Sequence, residues 1–316
     1  MAASDKAAEA GDPRTSIDDI VTSLAKDGYI ASRRIATCMH VAQTLRRPIL
    51  VEGPPGVGKT ELAVATARML GKPLIRMQCY EGIDESKALY DWKYSKQLLY
   101  TQLFKDNFSS AFASSTSMRD AMDRLAGMED LFFSETFLEP RPLLRALQQD
   151  SGSVLLIDEV DKADEGFESL LLEILSDFQV SIPEIGLIRA KVPPLVFLTS
   201  NGARELSDAL RRRCLFLHIP FPDVELEQRI VASRVPGIEA DLNRQIVAFV
   251  ETLRKENLRK SPSISESVDW AKTLVLLNVG SLEAPLVRET INVLLKFEQD
   301  IDRAEASIRQ HFAGDS

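Results

Sequence analysis

A glycine-rich segment at residues 53–60, with the sequence GPPGVGKT, has the composition and spacing to bind phosphate. It fits the pattern GxxxxGK[ST], in which glycines turn backbone N–H groups towards phosphate and a helix N-terminus adds partial positive charge. Lys59 would neutralise the β- and γ-phosphates of a nucleotide, and the Thr60 hydroxyl would ligate Mg²⁺. The residues predicted to contact this ligand are Gly53, Pro54, Pro55, Gly56, Val57, Gly58, Lys59, Thr60 and Glu61. A glycine-rich turn without a ligand is disfavoured, because the segment follows an apolar run and precedes a helical pattern.

Two adjacent carboxylates, Asp158 and Glu159, directly follow the apolar run Val154–Ile157. Asp158 would hold Mg²⁺ through water, and Glu159 would polarise a water molecule that attacks the terminal phosphate. The alternative is an acidic turn after a strand without a ligand. This is disfavoured because a phosphate-binding segment stands about 100 residues upstream. A switch-type GTPase is disfavoured, because no NKxD sequence follows that segment.

A second apolar run ends in the polar residues Thr199, Ser200 and Asn201. Because the carboxyl ends of parallel strands line the ligand crevice of an open sheet, this cluster is expected beside Asp158 and Glu159. Asn201 is therefore predicted to orient the attacking water, although an isolated asparagine is more commonly a turn former or a helix cap.

Apolar runs and helical periods alternate through most of the chain, which is typical of an α/β fold with a parallel sheet. Strands are predicted at 48–51, 73–77, 153–157, 194–199 and 215–219, and the run at 153–157 lacks polar alternation, as expected of a strand buried on both faces. After the Pro-Phe-Pro corner at 220–222 only helical spacing is found. We therefore predict a disordered tail at 1–16, a layered α/β domain at 17–222 and a smaller helical domain at 223–316.

The composition limits the partners that the chain could have. The net charge of −9 at pH 7 argues against a sequence-independent nucleic-acid binder, which needs a net basic face. No apolar run reaches the ~20 residues of a membrane span. Cys38, Cys79 and Cys214 lack CxxC spacing and are interpreted as free thiols. These features together predict a cytoplasmic protein.

Three consecutive arginines, Arg211–Arg213, stand just before the apolar run at 215–219. They could form a nucleic-acid patch, a solvated helix end, or a cation directed at phosphate on another molecule. The negative net charge disfavours the first interpretation. The residues alone leave the other two open.

Together these motifs resemble those of the AAA+ ATPases, specifically the MoxR branch. VEGPPGVGKTELA is similar to Walker A, LLIDEVDKAD to Walker B, FLTSN to sensor 1, and LSDALRRRCLFLHIPFP to the arginine-finger segment before a helical lid. The similarity covers nearly the whole chain from about residue 17, including the branch's helix-2 insertion at 76–100 and its hairpin before sensor 1 at 180–194. It implies the AAA+ P-loop NTPase fold, with a three-layer parallel-sheet domain followed by an all-helical lid.

The resemblance also implies the chemistry and the assembly. ATP and Mg²⁺ would be the cofactors, ATP would be hydrolysed to ADP and phosphate, and the subunits would form a hexameric ring. Arg213 would be the finger that a subunit directs at its neighbour's nucleotide, with Arg212 as the second choice. Tyr29 and Ile30 lie in a segment that resembles the adenine side of such sites and would contact the base.

Three segments, CYEGIDESKALYDWKYSKQLL, FLEPRPLLRAL and SPSISESVDWAKTL, look most like the CoxD-type subgroup of the MoxR branch. Members of that subgroup are chaperones in the maturation of a molybdenum–copper carbon monoxide dehydrogenase, beside a partner with a von Willebrand A domain. The resemblance thus implies a client metalloenzyme and such a partner. A client of the Rubisco or nitric oxide reductase type is the alternative. An AAA+ protein acting on nucleic acid and a non-hydrolysing scaffold are less favoured.

One part of the lid departs from the MoxR pattern. Its sensor 2 arginine often stands in an SPR-like motif, whereas this chain has Ser261-Pro262-Ser263, leaving Arg259 or Lys260 as possible substitutes. No residue is therefore assigned as sensor 2. The hairpin at 182–190 either packs over the sheet or transmits the nucleotide state. The aromatic side chains of Tyr80, Tyr90, Trp92, Tyr94 and Tyr100 either pack internally or grip a client.

Overall fold

The computed structural model describes residues 16–103, 133–183 and 185–312. Its strands are β1 (Ile49–Glu52), β2 (Leu74–Gln78), β3 (Tyr90–Trp92), β4 (Leu138–Pro140), β5 (Val154–Asp158), β6 (Gln179–Ile182), β7 (Gly186–Arg189), β8 (Leu195–Ser200) and β9 (Leu215–His218). The helices before β9 are α1 (Ile17–Lys26), α2 (Arg33–Leu45), α3 (Lys59–Leu70), α4 (Glu85–Ala88), α5 (Tyr94–Leu103), α6 (Pro142–Leu147), α7 (Glu165–Asp177) and α8 (Asp208–Arg213). Those after β9 are α9 (Val224–Arg234), α10 (Ala240–Lys255), α11 (Ile264–Leu276), α12 (Ala284–Thr290) and α13 (Glu298–His311).

Five of these strands form one parallel sheet in the order β2-β5-β8-β1-β9. Each is four to six residues long, and the five apolar runs in the sequence predict them to within one or two residues. The pairing register places Gln78 beside Asp158 and Ser200 beside Glu52, so the carboxyl ends of four strands meet at one edge. Polar side chains at those ends therefore share a crevice.

Helices cover both faces of the sheet and make it a three-layer domain. Val154 and Leu156 of β5 point into a core shared with α2 and α3, while Leu155 and Ile157 point into a core shared with α6 and α7. All five residues of β5 are buried, which explains why its sequence shows no polar alternation. Asp158 continues the alternation of Val154 and Leu156, so its carboxylate lies on the face that carries α3.

In the described region after β9, 219–312, helices are joined by loops and no strand occurs. Trp270 is fully buried there, in the same core as β1, α2 and α3, and donates its indole N–H to Thr290 Oγ1 at 2.9 Å. A buried ion pair joins α10 to α9, with Arg254 Nη2 2.8 Å from Glu227 Oε1. Packing and this pair together hold the helices as a unit.

Two small antiparallel sheets accompany the main one. β3 pairs with β4, and β6 pairs with β7 as a hairpin over the segment predicted to form one. Tyr90 and Trp92 contact each other edge to face with ring centroids 6.0 Å apart, whereas Tyr94 is 62% exposed. The aromatic group thus divides into packed and exposed members.

The start of the first helix corrects one detail of the predicted tail. Ser16, which the sequence places in that tail, is the N-cap of α1 and forms a capping box with Asp19. Residues 1–15 lie outside the described part. Among the helices that are described, none is both long enough and apolar enough to cross a membrane.

Candidate functional site

The glycine-rich segment forms a loop between β1 and α3 at the carboxyl edge of the sheet. Gly53 and Gly56 have positive φ angles of 156° and 73°, and other atoms lie close to both residues. A Cβ on Gly53 would lie 2.1 Å from the Ile219 carbonyl oxygen, and one on Gly56 would lie 2.3 Å from Ser263 Oγ. Neither position has room for a side chain, so the loop backbone is pressed between the sheet edge and the helical region.

Lys59, the first residue of α3, is buried to 7% exposure. Its Nζ donates to the carbonyl oxygens of Gly53 at 2.7 Å and Pro54 at 2.8 Å, and to Asn201 Oδ1 at 2.8 Å. Burial lowers the pKa of Lys59, and the nearby carboxylate of Asp161 opposes that shift most. The ammonium group is thus held between the phosphate loop and Asn201.

Asp158 and Thr60 lie together, as the sequence predicts. Thr60 Oγ1 is 3.0 Å from Asp158 Oδ1, and Thr199 Oγ1 donates to the same oxygen at 2.6 Å. The other oxygen, Oδ2, pairs with Arg76 Nη2 at 2.6 Å. Hydroxyl and carboxylate oxygens are hard donors of the kind that Mg²⁺ prefers, so this pair fits a magnesium site.

Glu159 adopts a left-handed backbone conformation with a φ of 55°, which is uncommon for a residue with a side chain. Its N–H donates to Thr199 Oγ1 at 2.9 Å, which fixes the turn. The carboxylate accepts from Asn201 Nδ2 at 3.1 Å, Gln78 Nε2 at 2.7 Å and Lys162 Nζ at 2.6 Å. Strained backbone of this kind is concentrated at functional sites.

Asn201 links the two predicted groups directly. Its Oδ1 accepts from Lys59, and its Nδ2 donates to Glu159. The loop that carries it is held by the buried carboxylate of Asp161, which accepts from the N–H groups of Asn201 at 3.1 Å and Ala203 at 2.9 Å. The Asn201 side chain therefore belongs to a hydrogen-bonded network with Lys59 and Glu159, and it is not an isolated turn or cap residue.

A cavity of about 800 Å³ lies beside the phosphate loop, between the sheet domain and the helical region. Its apolar wall includes Tyr29, Ile30, Ile219 and Phe221, together with Val268 of α11 in the helical region. The volume and the largely apolar lining suit a nucleoside. Tyr29 and Ile30, which the resemblance predicts to contact the base, both line this cavity.

The helical region brings Ser263, rather than an arginine, to the phosphate loop. Ser263 caps α11, accepting from Glu266 N, and it touches Gly56. The two cations considered as substitutes are engaged elsewhere: Arg259 stacks on Phe297 at 4.2 Å, and Lys260 pairs with Glu266 at 2.9 Å.

A different cation of the helical region reaches α3, the helix that follows the phosphate loop. Arg234 of α9 pairs with Glu61 of α3, its Nη2 2.9 Å from Oε1. Both residues line the cavity. The ion pair thus ties the helical region to the residue that follows Thr60.

The three arginines occupy the last turn of α8 and are not equivalent. Arg211 Nη2 lies 2.7 Å from Glu52 Oε1, at the end of β1. Arg212 and Arg213 are exposed, and their side chains make no ion pair or hydrogen bond within the described part of the chain. Arg211 is thereby occupied within the chain, whereas the side chains of Arg212 and Arg213 have no such partner among the described residues.

Sequence reasoning missed four side chains around this site: Arg76, Gln78, Asp161 and Lys162. Arg76 and Gln78 occupy alternate positions of β2, a polar pattern visible in the sequence. Their relation to Asp158 could not be read there, because it requires knowing that β2 pairs with β5. Asp161 and Lys162 stand in the acidic motif itself, and their partners follow from the tight turn after Glu159.

The order of the five strands, with the phosphate loop after β1 and the acidic pair after β5, is that of an AAA+ P-loop NTPase. Residues 48–214 match the family described as "AAA domain (dynein-related subfamily)". The chain belongs to this AAA family.

Relatives of comparable length occur in Staphylococcus aureus. The chain is 23% identical over 261 residues to an uncharacterised protein of strain NCTC 8325, covering 79% of this chain and 85% of the relative. For an uncharacterised protein of strain USA300 the identity is 24% over 262 residues, with the same coverage.

Solved structures of RuvB from Thermotoga maritima are similar at 17% identity. A mutant form gives a TM-score of 0.47 and covers 89% of this chain and 73% of that one. The structure titled as the RuvB Holliday junction branch migration motor gives 0.42, covering 89% and 72%.

Proposed function

We propose that this AAA protein hydrolyses ATP to ADP and phosphate in a Mg²⁺-dependent reaction. The observation that carries the proposal is the chain of contacts from Lys59 through Asn201 to Glu159. It joins a phosphate-binding cation to a carboxylate suited to activating water. A protein that only bound nucleotide would have no need of that carboxylate.

Each residue has a defined part in the proposed reaction. The phosphate loop and Lys59 bind the phosphates, while Thr60 and Asp158 hold Mg²⁺, which when bound offsets the phosphate charge. Glu159 accepts a hydrogen bond from the attacking water, and Asn201 orients that water. Gln78 and Lys162 donate to Oε2 of Glu159, whereas Oε1 accepts from Asn201 and has a further lone pair that can accept from the water.

The test is ATP turnover by the purified chain. Glu159→Gln should retain binding of a fluorescent ATP analogue and lose turnover by about 10²- to 10⁴-fold, the usual contribution of a general base. Glu165→Gln, an exposed position in α7, is the matched control and should behave as wild type. If Glu159→Gln hydrolyses ATP at the wild-type rate, Glu159 is not the residue that activates the water.

We infer further that the subunits associate, with a hexameric ring as the expected form. In this ring Arg213 of each subunit would act as a finger on the nucleotide bound by its neighbour. The exposed, unpaired state of Arg212 and Arg213 in the described chain supports this. In GTPases a finger supplied in trans adds roughly 10³- to 10⁵-fold in rate. Arg213→Ala should bind ATP and lose most hydrolysis, and mixing it with Glu159→Gln subunits should restore part of the activity. No restoration in the mixture would argue against a finger in trans.

For the biological role, we propose a MoxR-type chaperone that acts on a client metalloenzyme, of the CoxD type for molybdenum–copper carbon monoxide dehydrogenase. Support comes from the resemblance of three insert and lid segments to that subgroup. Free thiols at all three cysteines fit work in the cytoplasm. Co-expression with the dehydrogenase and a von Willebrand A partner should yield active enzyme with wild type and inactive enzyme with Glu159→Gln. Equal yields would favour another client, of the Rubisco or nitric oxide reductase type.

The net charge of −9 argues against a motor on nucleic acid. ATP turnover should therefore be unchanged by added duplex or single-stranded DNA. Stimulation by DNA that disappears at higher salt would favour the nucleic-acid function instead.

A further inference from the structure

The helix α8, which carries the three arginines, has only six residues. Helices this short are not stable alone, so its direction depends on contacts with the rest of the domain. The last carbonyl groups of any helix also lack partners within it. In α8, Cys214 N–H donates to the carbonyl of Arg211, and the three carbonyls that follow are those of Arg212, Arg213 and the C-cap residue Cys214.

Arg47 satisfies all three of these remaining carbonyls. Its Nε donates to Arg213 O at 3.1 Å, and its Nη2 donates to Arg212 O at 2.5 Å and to Cys214 O at 3.1 Å. A planar guanidinium can reach several acceptors at once, which a lysine ammonium on a flexible stem does less well. Arg47 thus fixes the backbone from which the side chains of Arg212 and Arg213 project.

Arg47 is also placed to connect this helix with the nucleotide site of its own subunit. It stands two residues before β1, whose far end leads into the phosphate loop. At that far end Glu52 pairs with Arg211 of the same helix. The strand that carries the phosphate loop therefore holds α8 through contacts at both of its ends.

We propose that Arg47 is a positioning residue for the arginine finger: it aims Arg213, or Arg212, at the nucleotide of the neighbouring subunit. This inference rests on the proposed function, in which α8 supplies a cation in trans. Arg46 provides a contrast, because it is adjacent and exposed, and its side chain makes no hydrogen bond or ion pair among the described residues.

The experiment compares Arg47→Gln with Arg46→Gln and with Arg212→Ala and Arg213→Ala. Displacement of a catalytic group by about 1 Å can cost roughly 10²-fold, so kcat of Arg47→Gln should fall about 10- to 100-fold. ATP affinity, measured with a fluorescent analogue, should stay at the wild-type value, as should both constants for Arg46→Gln. Arg47→Lys should recover part of kcat. Thermal melting of each variant checks that it is folded at the assay temperature.

A double-mutant cycle distinguishes positioning from a general structural role. In the background of whichever arginine variant slows turnover, Arg47→Gln should cause no further loss of the residual rate, because there is then no finger for Arg47 to position. Additive losses, or normal turnover of Arg47→Gln, would overturn the positioning role and leave the finger intact. If neither Arg212→Ala nor Arg213→Ala slows turnover, the finger itself is wrong and the positioning role fails with it.

Discussion

Arg76 Nη2 lies 2.6 Å from Asp158 Oδ2, at the carboxylate proposed to hold Mg²⁺. The guanidinium comes from β2, which pairs with the strand that ends in Asp158. Asp158 is buried, whereas the Arg76 side chain is 54% exposed. A cation of the protein thus balances the charge of this carboxylate.

Replacing Arg76 should therefore make the site depend on metal. Arg76→Gln leaves a buried carboxylate without its cation, and we expect a loss of about 1–2 kcal/mol in the absence of Mg²⁺, less than for a fully buried pair because Arg76 is half exposed. Mg²⁺ with ADP should restore stability and bind more tightly than to wild type. Thermal melting in EDTA and in titrated Mg²⁺ measures both effects. Arg189→Gln, an exposed position on β7, is the control, and equal metal dependence of the two variants would contradict the expectation.

The contact between Gly56 and Ser263 predicts a specific defect in nucleotide binding. Gly56→Ala places a Cβ 2.3 Å from Ser263 Oγ and also strains a backbone with a φ of 73°. We expect affinity for a fluorescent ADP analogue to fall about 10-fold or more, because relieving the clash must shift the phosphate loop and about 1.4 kcal/mol of binding free energy is tenfold.

Two further variants separate the clash from the strain. Gly71→Ala has the same left-handed strain at φ 60° with no neighbour within 4 Å, so it should lower stability and leave affinity unchanged. Ser263→Gly removes the clashing atoms at a cost of a few tenths of a kcal/mol as a helix cap. Combined with Gly56→Ala it should recover part of the affinity. An equal defect in Gly71→Ala would show that the contact with Ser263 is irrelevant.

The sequence predicts the local parts of this site well. The phosphate loop, the acidic pair and Asn201 each lie directly after a buried strand, and an apolar run followed by polar residues is a short-range signal. That the three meet follows from the parallel sheet, because carboxyl ends of its strands share an edge.

Long-range pairing sets the limit of what the sequence predicts. The partners of Arg76 and Gln78 depend on which strand lies beside β5, and Gly56 lies against Ser263 of the helical region, about 200 residues further along the chain. The resemblance favours Arg213 over Arg212 as the finger, but nothing in the sequence shows that Arg211 pairs with Glu52. Side-chain partners far apart in the chain carry no signal in spacing or periodicity.

The buried pair in the helical region should be essential to its stability. Glu227 is 1% exposed and Arg254 is 11% exposed, and Arg254 also stacks over Phe221 at 4.7 Å. Arg254→Met leaves the carboxylate buried and unpaired, a change that typically costs about 3–5 kcal/mol. Arg244→Met on the same helix removes an exposed pair with Asp241 and should cost under about 1 kcal/mol. Urea denaturation measures both, and similar costs would contradict the role of the buried pair.

The carboxylate of Glu168 predicts how stability responds to acid. Burial alone would raise the pKa of Glu168, but hydrogen bonds from Ser207 and from the Arg204 guanidinium outweigh it and hold the pKa below its ordinary value. Because its pKa is lower in the folded protein, ionised Glu168 stabilises the fold. This stabilisation is complete at pH values above the unfolded-state pKa of about 4.3, and it is lost as the pH falls through the folded-state pKa. The difference in unfolding free energy between wild type and Glu168→Gln should therefore be constant above about pH 5 and shrink below about pH 4. Urea denaturation across this range measures it. A difference that stays constant to the lowest pH at which the protein folds would show that Glu168 is not held ionised by the loop before α8.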